Sequence, residues 1–172
     1  FTSMGFTSDG TLCGAEIDTY LLEKSRVVRQ DPGNCTFHIF LQLCAGESAT
    51  TASLDLREPS QHSFTASADL GSTDMSAELA ATITGLATAG VKDADRDSLF
   101  QVLAAILHLG DIVFESADGS ATITGNLDDP VRPLATAVRL LQVDGTLLAH
   151  ALVSREMHVA GDTTTVALRA EQ

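Results

Sequence analysis

The stretch of the chain that most constrains its fold runs from Gly14 to Gly46. From its start to Leu21, more polar and less polar residues alternate. This alternation is the pattern of a half-buried β-strand. A run of alternating charges follows at residues 23–26, and then a nearly all-apolar run from Phe37 to Cys44. Glycine is favoured just after the last residue of a helix, so Gly46 is a natural stop. The stretch therefore predicts a strand, a charged elbow and a short buried helix.

Turn signals predict three β-hairpins. Asp-Gly at residues 9–10 and 118–119, and Gly-Asp at 161–162, each separate two short runs of alternating residues. Asp-Gly supplies the positive φ angles that a tight hairpin turn requires. Two strands alone are marginally stable in water, so the first hairpin, from residues 1–7 and 12–21, is expected to need neighbouring strands.

Caps and apolar spacing predict helices between and after these hairpins. They are expected to begin after the cap Asp74, at Asp93, at Asp129-Pro130 or Arg132-Pro133, and at Asp144. Residues 98–109 are apolar almost all round and predict a core helix. In the helix after residue 132, Leu134, Val138 and Leu141 are expected to face the core, and Thr136, Arg139 and Gln142 to face away. The predicted fold is mixed α/β, mostly helical with short antiparallel hairpins.

Residues 47–71 are rich in Ser, Thr and Ala, and offer only Leu54, Leu56 and Phe64 as apolar anchors. Such a composition lacks the periodicity of a long helix or strand. We therefore expect a short helix followed by a surface loop.

Composition excludes several classes of function. The net charge of −13 and the pI of about 4.5 oppose binding to nucleic acid or to anionic lipid. No apolar run is long enough to predict insertion into a membrane. Cys13, Cys35 and Cys44 are odd in number and lack CxxC spacing, which predicts reduced, partly buried thiols. The five histidines are scattered, which argues against a metal site. They are His38, His62, His108, His150 and His158.

Two longer strings carry a family resemblance. The first is YLLEKSRVV with Gln30, followed by FHIF, Gln42-Leu43 and Ala45-Gly46, and the second is LAAILHLGDI with Phe114. Both resemble the myosin motor domain, in which the first string follows the switch I loop. Asp111 stands where the family usually has Asn, and residues 34–36 read Asn-Cys-Thr where it often has Glu-Arg-Asn. The resemblance spans essentially the whole chain and is weakest over residues 47–96.

This resemblance implies that residues 1–172 are a partial motor domain, from the upper 50-kDa region of a P-loop NTPase, rather than a complete independent domain. It implies an actin-based, ATP-driven motor with ATP and Mg²⁺ as cofactors of the parent domain. The implied partners are the actin filament and the remainder of the motor domain, and the implied location is the cytoplasm and cytoskeleton. The alternative is a truncated, non-catalytic binding or structural module derived from a myosin.

The chain lacks the elements that would hold a nucleotide. A phosphate-binding loop needs glycines followed by Lys and then Ser or Thr. The only lysines are Lys24 and Lys92, and neither follows glycine. There is also no G-x-S-x-G elbow and no recognisable Cys–His pair. We therefore predict no catalytic residue and no direct cofactor contact, and expect the isolated chain to be inactive and only loosely folded.

Glu23 and Lys24 match family positions close behind the nucleotide site, and Arg26 lies in the same charged elbow. The resemblance implies that these residues form ion pairs that brace the switch segments. The alternative is an ordinary surface salt bridge between Glu23 and Arg26, worth about 0–1 kcal/mol.

Ser154, Arg155 and Glu156 match the start of the myosin surface loop often called the cardiomyopathy loop, which touches actin. A guanidinium suits an acidic partner because it donates hydrogen bonds in a rigid fork. The alternative is a solvated arginine on an exposed hairpin. The loop at residues 116–119 is a second, weaker candidate for contact with the filament.

Overall fold

The computed structural model describes residues 2–19, 23–29, 36–46, 50–68, 71–124, 132–159 and 162–170. Within these ranges the chain forms six α-helices, one short 3-10 helix and three two-stranded antiparallel sheets. The predicted mixed α/β class and the three predicted hairpins are therefore confirmed. Asp129-Pro130 and Gly161, two of the predicted turn or start signals, lie outside the described residues.

The helices are α1 (Ser25–Val28), α2 (His38–Ala45), α3 (Met75–Thr88), α4 (Asp93–Gly110), α5 (Pro133–Leu141) and α6 (Gly145–Val153). The 3-10 helix spans Pro59–Gln61. The strands are β1 (Thr2–Phe6), β2 (Leu12–Ile17), β3 (Phe114–Ala117), β4 (Ser120–Ile123), β5 (Ser154–Val159) and β6 (Asp162–Ala167).

Several helix starts agree with the caps read from the sequence. The Asp74 carboxylate accepts hydrogen bonds from the N–H groups of Ser76 and Ala77, and Asp144 accepts one from Leu147. Pro133 is the first residue of α5, where its missing N–H costs nothing. These local signals fix where α3, α5 and α6 begin.

Strands β1 and β2 pair antiparallel, with Met4 opposite Ala15, and the register shifts between Gly5 and Phe6. Every residue of both strands is exposed. The predicted half-buried strand is therefore wrong for this chain, although the hairpin itself is correct. A two-stranded sheet buries a face only when another layer packs against it.

The core lies between α2, α3, α4 and α5. Phe100 is only 1% exposed, and Ala104 and Ala105 are completely buried where α4 packs against its neighbours. One face of α4 nevertheless stays open, because Leu99 and Val102 are 46% and 45% exposed. The prediction of a helix buried all round is therefore only partly correct.

In helix α5, Thr136 faces the core, which differs from the prediction. Thr136 is only 3% exposed, whereas Arg139 and Gln142 are exposed as expected. Thr136 lies one helical turn before Leu140, whose side chain is buried, so both lie on the core side. The predicted core stripe at positions 134, 138 and 141 is therefore rotated slightly around the helix axis from the buried face that the structure shows.

Gly46 follows α2 as predicted, but for a different reason. Its backbone has φ −81° and ψ 109°, which is open to any residue. A Cβ atom at this position would lie 2.1 Å from Leu79 Cδ2 and 2.9 Å from the carbonyl oxygen of Gln42. Glycine is therefore required here because α3 approaches closely, not because the helix ends in a left-handed residue.

The segment at residues 51–65, called the strap below, is not a surface loop. It is irregular apart from the 3-10 helix, yet it buries several side chains against the core. The buried members are Thr51, Leu54, Pro59, His62 and Thr65. The expected short helix is thus replaced by turns that follow the surface of the helices.

The second and third hairpins are joined to one another. The Ala121 N–H donates to the Leu168 carbonyl oxygen at 2.7 Å, and the Leu168 N–H donates to Val153 at 2.8 Å. Helix α6 also packs against β4 and β5. These contacts combine both hairpins and α6 into one unit.

Candidate functional site

The charged elbow contacts the start of α2. Arg26 Nε lies 3.4 Å from Glu23 Oε1, and the two side chains are 49% and 57% exposed. The Arg26 guanidinium also lies 5.3 Å from the centre of the Phe37 ring, a distance that suits a cation–π contact. Lys24 precedes α1 and is exposed. The structure therefore brings Glu23, Arg26 and Phe37 together, and the exposed ion pair alone contributes at most about 1 kcal/mol.

The β5–β6 hairpin presents Arg155 and Glu156 to solvent. Arg155 is opposite Val166 and Glu156 is opposite Thr165. Neighbouring residues of a strand point to opposite faces, so a flat partner could contact only one of these two side chains directly. The Ser154 hydroxyl donates to the His150 carbonyl oxygen at 2.8 Å, which ties it to the end of α6.

The β3–β4 turn at residues 116–119 is also exposed. Asp118 and Gly119 both have positive φ angles, 50° and 81°. This is the geometry of the two-residue hairpin turn that Asp-Gly predicts. Through Leu168 the turn belongs to the same unit as Arg155.

A cluster of polar side chains under the strap was not predicted. Its centre is Asp111, the residue directly after α4. Asp111 Oδ1 accepts the Ser63 N–H at 2.8 Å. Asp111 Oδ2 accepts Arg57 Nη2 at 2.7 Å and lies 2.6 Å from His62 Nδ1. The carboxylate is only 6% exposed. Donor groups of the protein form hydrogen bonds to both of its oxygens.

The hydrogen bonds of His62 define its proton positions. The Arg57 backbone N–H donates to His62 Nε2 at 3.0 Å, so Nε2 must carry the lone pair. The proton of the neutral ring then lies on Nδ1 and is donated to Asp111. The side chain of His62 is completely buried. Both ring nitrogens are thus occupied, and no reactive nitrogen faces solvent.

His108 supports the strap from α4. Its Nε2 lies 2.9 Å from the Leu54 carbonyl oxygen and donates to it. Burial lowers the pKa of His108, and this effect outweighs the opposing hydrogen bond to Leu54. His108 is therefore a neutral, structural donor.

The charge state of Asp111 follows from competing effects. Burial would raise the pKa of this carboxyl group, but hydrogen bonds from His62, the Ser63 N–H and Arg57 lower it more, so the net pKa lies below the ordinary 3.8. Asp111 is consequently ionised at neutral pH and attracts the Arg57 guanidinium.

The cysteines do not supply a nucleophile to this cluster. Burial, with the charges of Asp111 and Glu58, raises the pKa of Cys44 to about 12, so it stays a thiol. Cys13 is exposed, which corrects the prediction of partial burial, and Cys35 lies outside the described residues. An aspartate and a histidine without a nucleophile or an open ring nitrogen cannot perform acyl transfer. The cluster therefore has a structural role: it attaches the strap to the end of α4.

Sequence reasoning missed this cluster because its members are far apart along the chain. Arg57 and His62 lie in a segment without periodicity, and Asp111 was noticed only as a departure from the family pattern. In the part of the chain that the structure describes, no three His, Cys, Asp or Glu side chains are placed to hold a metal ion. The described helices include none that is long and apolar enough to cross a membrane.

Comparisons with known proteins agree with the two strings in the sequence. Residues 1–172 match the family model for the myosin head, or motor domain. Myosin-6 of Arabidopsis thaliana is 31% identical over 174 residues, which cover 99% of this chain. Myosin IE heavy chain of Dictyostelium discoideum is 34% identical over 91% of the chain, and Protein OPAQUE1 of Zea mays is 39% identical over 92%. The chain belongs to the myosin motor-domain family.

The matched regions are small parts of these relatives. The chain spans 12% of Myosin-6, 16% of the Myosin IE heavy chain and 10% of Protein OPAQUE1.

Proposed function

We propose that this chain is part of an actin-based, ATP-driven motor, to which it contributes core helices, hairpins and part of the surface that binds the filament. The observation that carries this proposal is the match of the entire chain to the motor-domain family. Two of the relatives are named as myosins, which favours a motor segment over a derived, non-catalytic module. In such a motor the partners are the actin filament and the remaining parts of the motor domain, and the location is the cytoskeleton.

We infer that the complete motor is a P-loop NTPase that uses ATP and Mg²⁺, and that this chain does not supply its phosphate-binding loop. Neither lysine of the sequence follows a glycine, and the described residues contain no metal-binding group of acidic or imidazole side chains. We therefore assign no nucleotide contact to this chain. Hydrolysis by the complete motor requires a phosphate-binding loop contributed by other residues.

The elbow at Glu23, Lys24 and Arg26 is proposed to act by bracing. Arg26 connects Glu23, before α1, to Phe37 at the start of α2. A planar guanidinium can form an ion pair and stack on a ring at the same time, which lysine does not reproduce. This geometry supports a role in holding two segments in place rather than in contacting a ligand.

The β5–β6 hairpin is proposed as the filament contact. Arg155 is exposed and lies on the face opposite to Glu156, so it can meet a carboxylate of the partner without competition from that neighbour. The net charge of −13 opposes long-range attraction to an acidic filament. Contact must then depend on short-range bonds from particular cations such as Arg155, with the 116–119 turn of the same unit as a second contact.

The test is Arg155→Ala in the full-length protein, measured as ATPase activity against actin concentration. Loss of a rim charge costs about 0.2–1 kcal/mol, so the actin concentration for half-maximal activity should rise about 1.4-fold to 5-fold. Turnover without actin should stay unchanged, and Arg155→Lys should be intermediate.

Two further variants make this test specific. Glu156→Gln changes a charge on the opposite face of the same strand and should affect actin dependence less than Arg155→Ala. Arg26→Ala should instead lower turnover without actin, because it disturbs the brace. A fall in basal turnover for Arg155→Ala, with filament affinity retained, would assign Arg155 to the interior of the motor.

A further inference from the structure

The strap contains a loop from Arg57 to His62 that is closed by one side-chain acceptor. The Arg57 N–H donates to His62 Nε2 at 3.0 Å. Within the loop, the Gln61 N–H donates to Glu58 at 2.8 Å and the His62 N–H donates to Pro59 at 3.3 Å. The His62 ring thus holds the two ends of the loop together. We propose that this loop is a proton-sensitive latch, in which uptake of a proton by His62 breaks the bond to Arg57 and opens the loop.

The geometry determines what protonation does. Nδ1 already carries a proton and donates it to Asp111, so a second proton can bind only at Nε2. Nε2 would then be a donor that faces the Arg57 N–H, which is also a donor. His62 is completely buried, so water cannot enter to accept both protons while the loop stays closed. An unsatisfied buried donor pair is costly, and movement of the loop relieves it.

Asp111 determines whether the His62 ring or the Arg57 backbone moves when His62 takes up a proton. An imidazolium is attracted by this carboxylate at 2.6 Å, so the bond from Nδ1 is strengthened by protonation. The same carboxylate is fixed at the end of α4 by the Ser63 N–H and the Arg57 guanidinium. The ring therefore remains attached to Asp111, and the backbone at Arg57 is the part that is released.

The other charged or titratable groups near the latch do not replace His62 as its proton acceptor. His108, on α4, uses Nε2 as a donor to Leu54, and its burial disfavours the charged form. Cys44, on α2, remains a neutral thiol. Glu58 is exposed in the loop itself. The Arg57 guanidinium is bound to Asp111 and is a donor, not a proton acceptor.

The inference does not depend on the proposed motor function, and its test needs no activity. Hydrogen–deuterium exchange of the strap would be followed by mass spectrometry in the full-length protein from about pH 8 to about pH 5.5. Rates are corrected for the intrinsic pH dependence of exchange, and peptides from α3 serve as the internal reference. As the pH falls across this range, uptake of one proton should decrease protection of the Arg57 amide by up to about tenfold for each pH unit, while α3 stays protected.

Three variants test whether His62 is the residue that takes up the proton. His62→Gln keeps an acceptor but cannot titrate, so its strap should exchange independently of pH. His158→Gln, on the exposed hairpin, and His108→Gln should both retain the pH dependence of the natural protein. Protection of the Arg57 amide that is independent of pH in the unmodified protein would overturn the latch. The assignment to His62 would be overturned if exchange of the strap in His62→Gln still depended on pH, or if only His108→Gln removed that dependence. If a variant fails to fold, the pH dependence of exchange in the unmodified protein still tests the latch.

Discussion

His62 and His108 meet edge to face, with ring centroids 5.7 Å apart at an angle of 81°. His62 belongs to the strap and bonds to Asp111 at the end of α4. His108 belongs to α4 and bonds back to Leu54 of the strap. The two rings therefore attach the strap to α4 in opposite directions, His62 through its Nδ1 and His108 through its Nε2. Four predictions follow from this arrangement and from the packing around it.

Asp111→Asn should destabilise α4 and the strap. An asparagine has one acceptor oxygen, so whichever way it is oriented, its NH₂ group meets either the Ser63 N–H or the Arg57 and His62 donors. Loss of hydrogen bonds to a charged group costs about 1.5–3 kcal/mol. The free energy of opening α4 should fall by that amount, measured by denaturant-dependent hydrogen exchange in the full-length protein.

Asp55→Asn is the matched control for this variant. Asp55 also binds an arginine, Arg139, at 2.6 Å, but both side chains are more than half exposed. Its loss should cost no more than about 1 kcal/mol. Equal effects of the two variants would contradict the view that burial makes the Asp111 contacts strong.

Gly46→Ala should destabilise the core. The added methyl would overlap Leu79 and approach the Gln42 carbonyl oxygen to 2.9 Å, so both α2 and α3 would have to shift. Overpacking of this kind costs about 1–3 kcal/mol. Urea-dependent exchange of α3 amides would measure the loss.

Gly85→Ala provides the opposite expectation in α3, the helix whose Leu79 lies against Gly46. Gly85 lies inside α3, and a Cβ atom there would meet nothing within 4 Å. Alanine should stabilise the helix by about 0.5–1 kcal/mol, because it reduces the freedom of the unfolded chain. Destabilisation by Gly85→Ala would contradict the open surroundings of this position.

Stability of α4 should decrease in mildly acidic solution. The pKa of His108 is lowered in the folded state from the ordinary 6.5, so the unfolded chain binds the proton more readily. The contribution of His108 is therefore complete above pH 6.5 and is lost as the pH falls through the folded value. Asp111, whose pKa is also lowered, adds a second loss below its ordinary 3.8.

His108→Gln should remove the first of these losses and keep the second. Glutamine can still donate to Leu54 but does not titrate. The measurement is protection of α4 amides as a function of pH, and an unchanged profile in this variant would exclude His108 as the source of the first loss.

Cys44 should resist alkylation in the native protein. With a pKa of about 12, roughly one thiol in 10⁴ is ionised at about pH 8. Unfolding in urea removes the burial and the neighbouring charges, so modification by iodoacetamide should accelerate roughly 10³-fold. Mass spectrometry of the peptide that contains Cys44 gives both rates, and rapid native modification would show that the thiol is accessible and activated.

Much of this fold could be predicted from the residues alone, because local signals determine it. Asp-Gly at 118–119 requires a turn with positive φ angles, Asp74 and Asp144 cap helices through their own carboxylates, and Pro133 begins one. The strings around residues 20–46 and 103–114 also identified the family, since their residue order is specific. These features depend on neighbours within a few positions of the chain.

Other features were decided only by the tertiary structure. The Ser- and Thr-rich sequence of residues 47–71 has no period and predicts a short helix followed by a surface loop, yet His62 in this segment is completely buried and contacts the end of α4. Thr136 lies in the core because of the neighbours that α5 packs against. Asp111 finds Arg57 and His62 far away in the sequence, and no local pattern encodes which distant donors will surround a carboxylate. Propensity, capping and turn chemistry thus determined the elements of this protein, whereas packing between distant segments determined which polar groups are buried and charged.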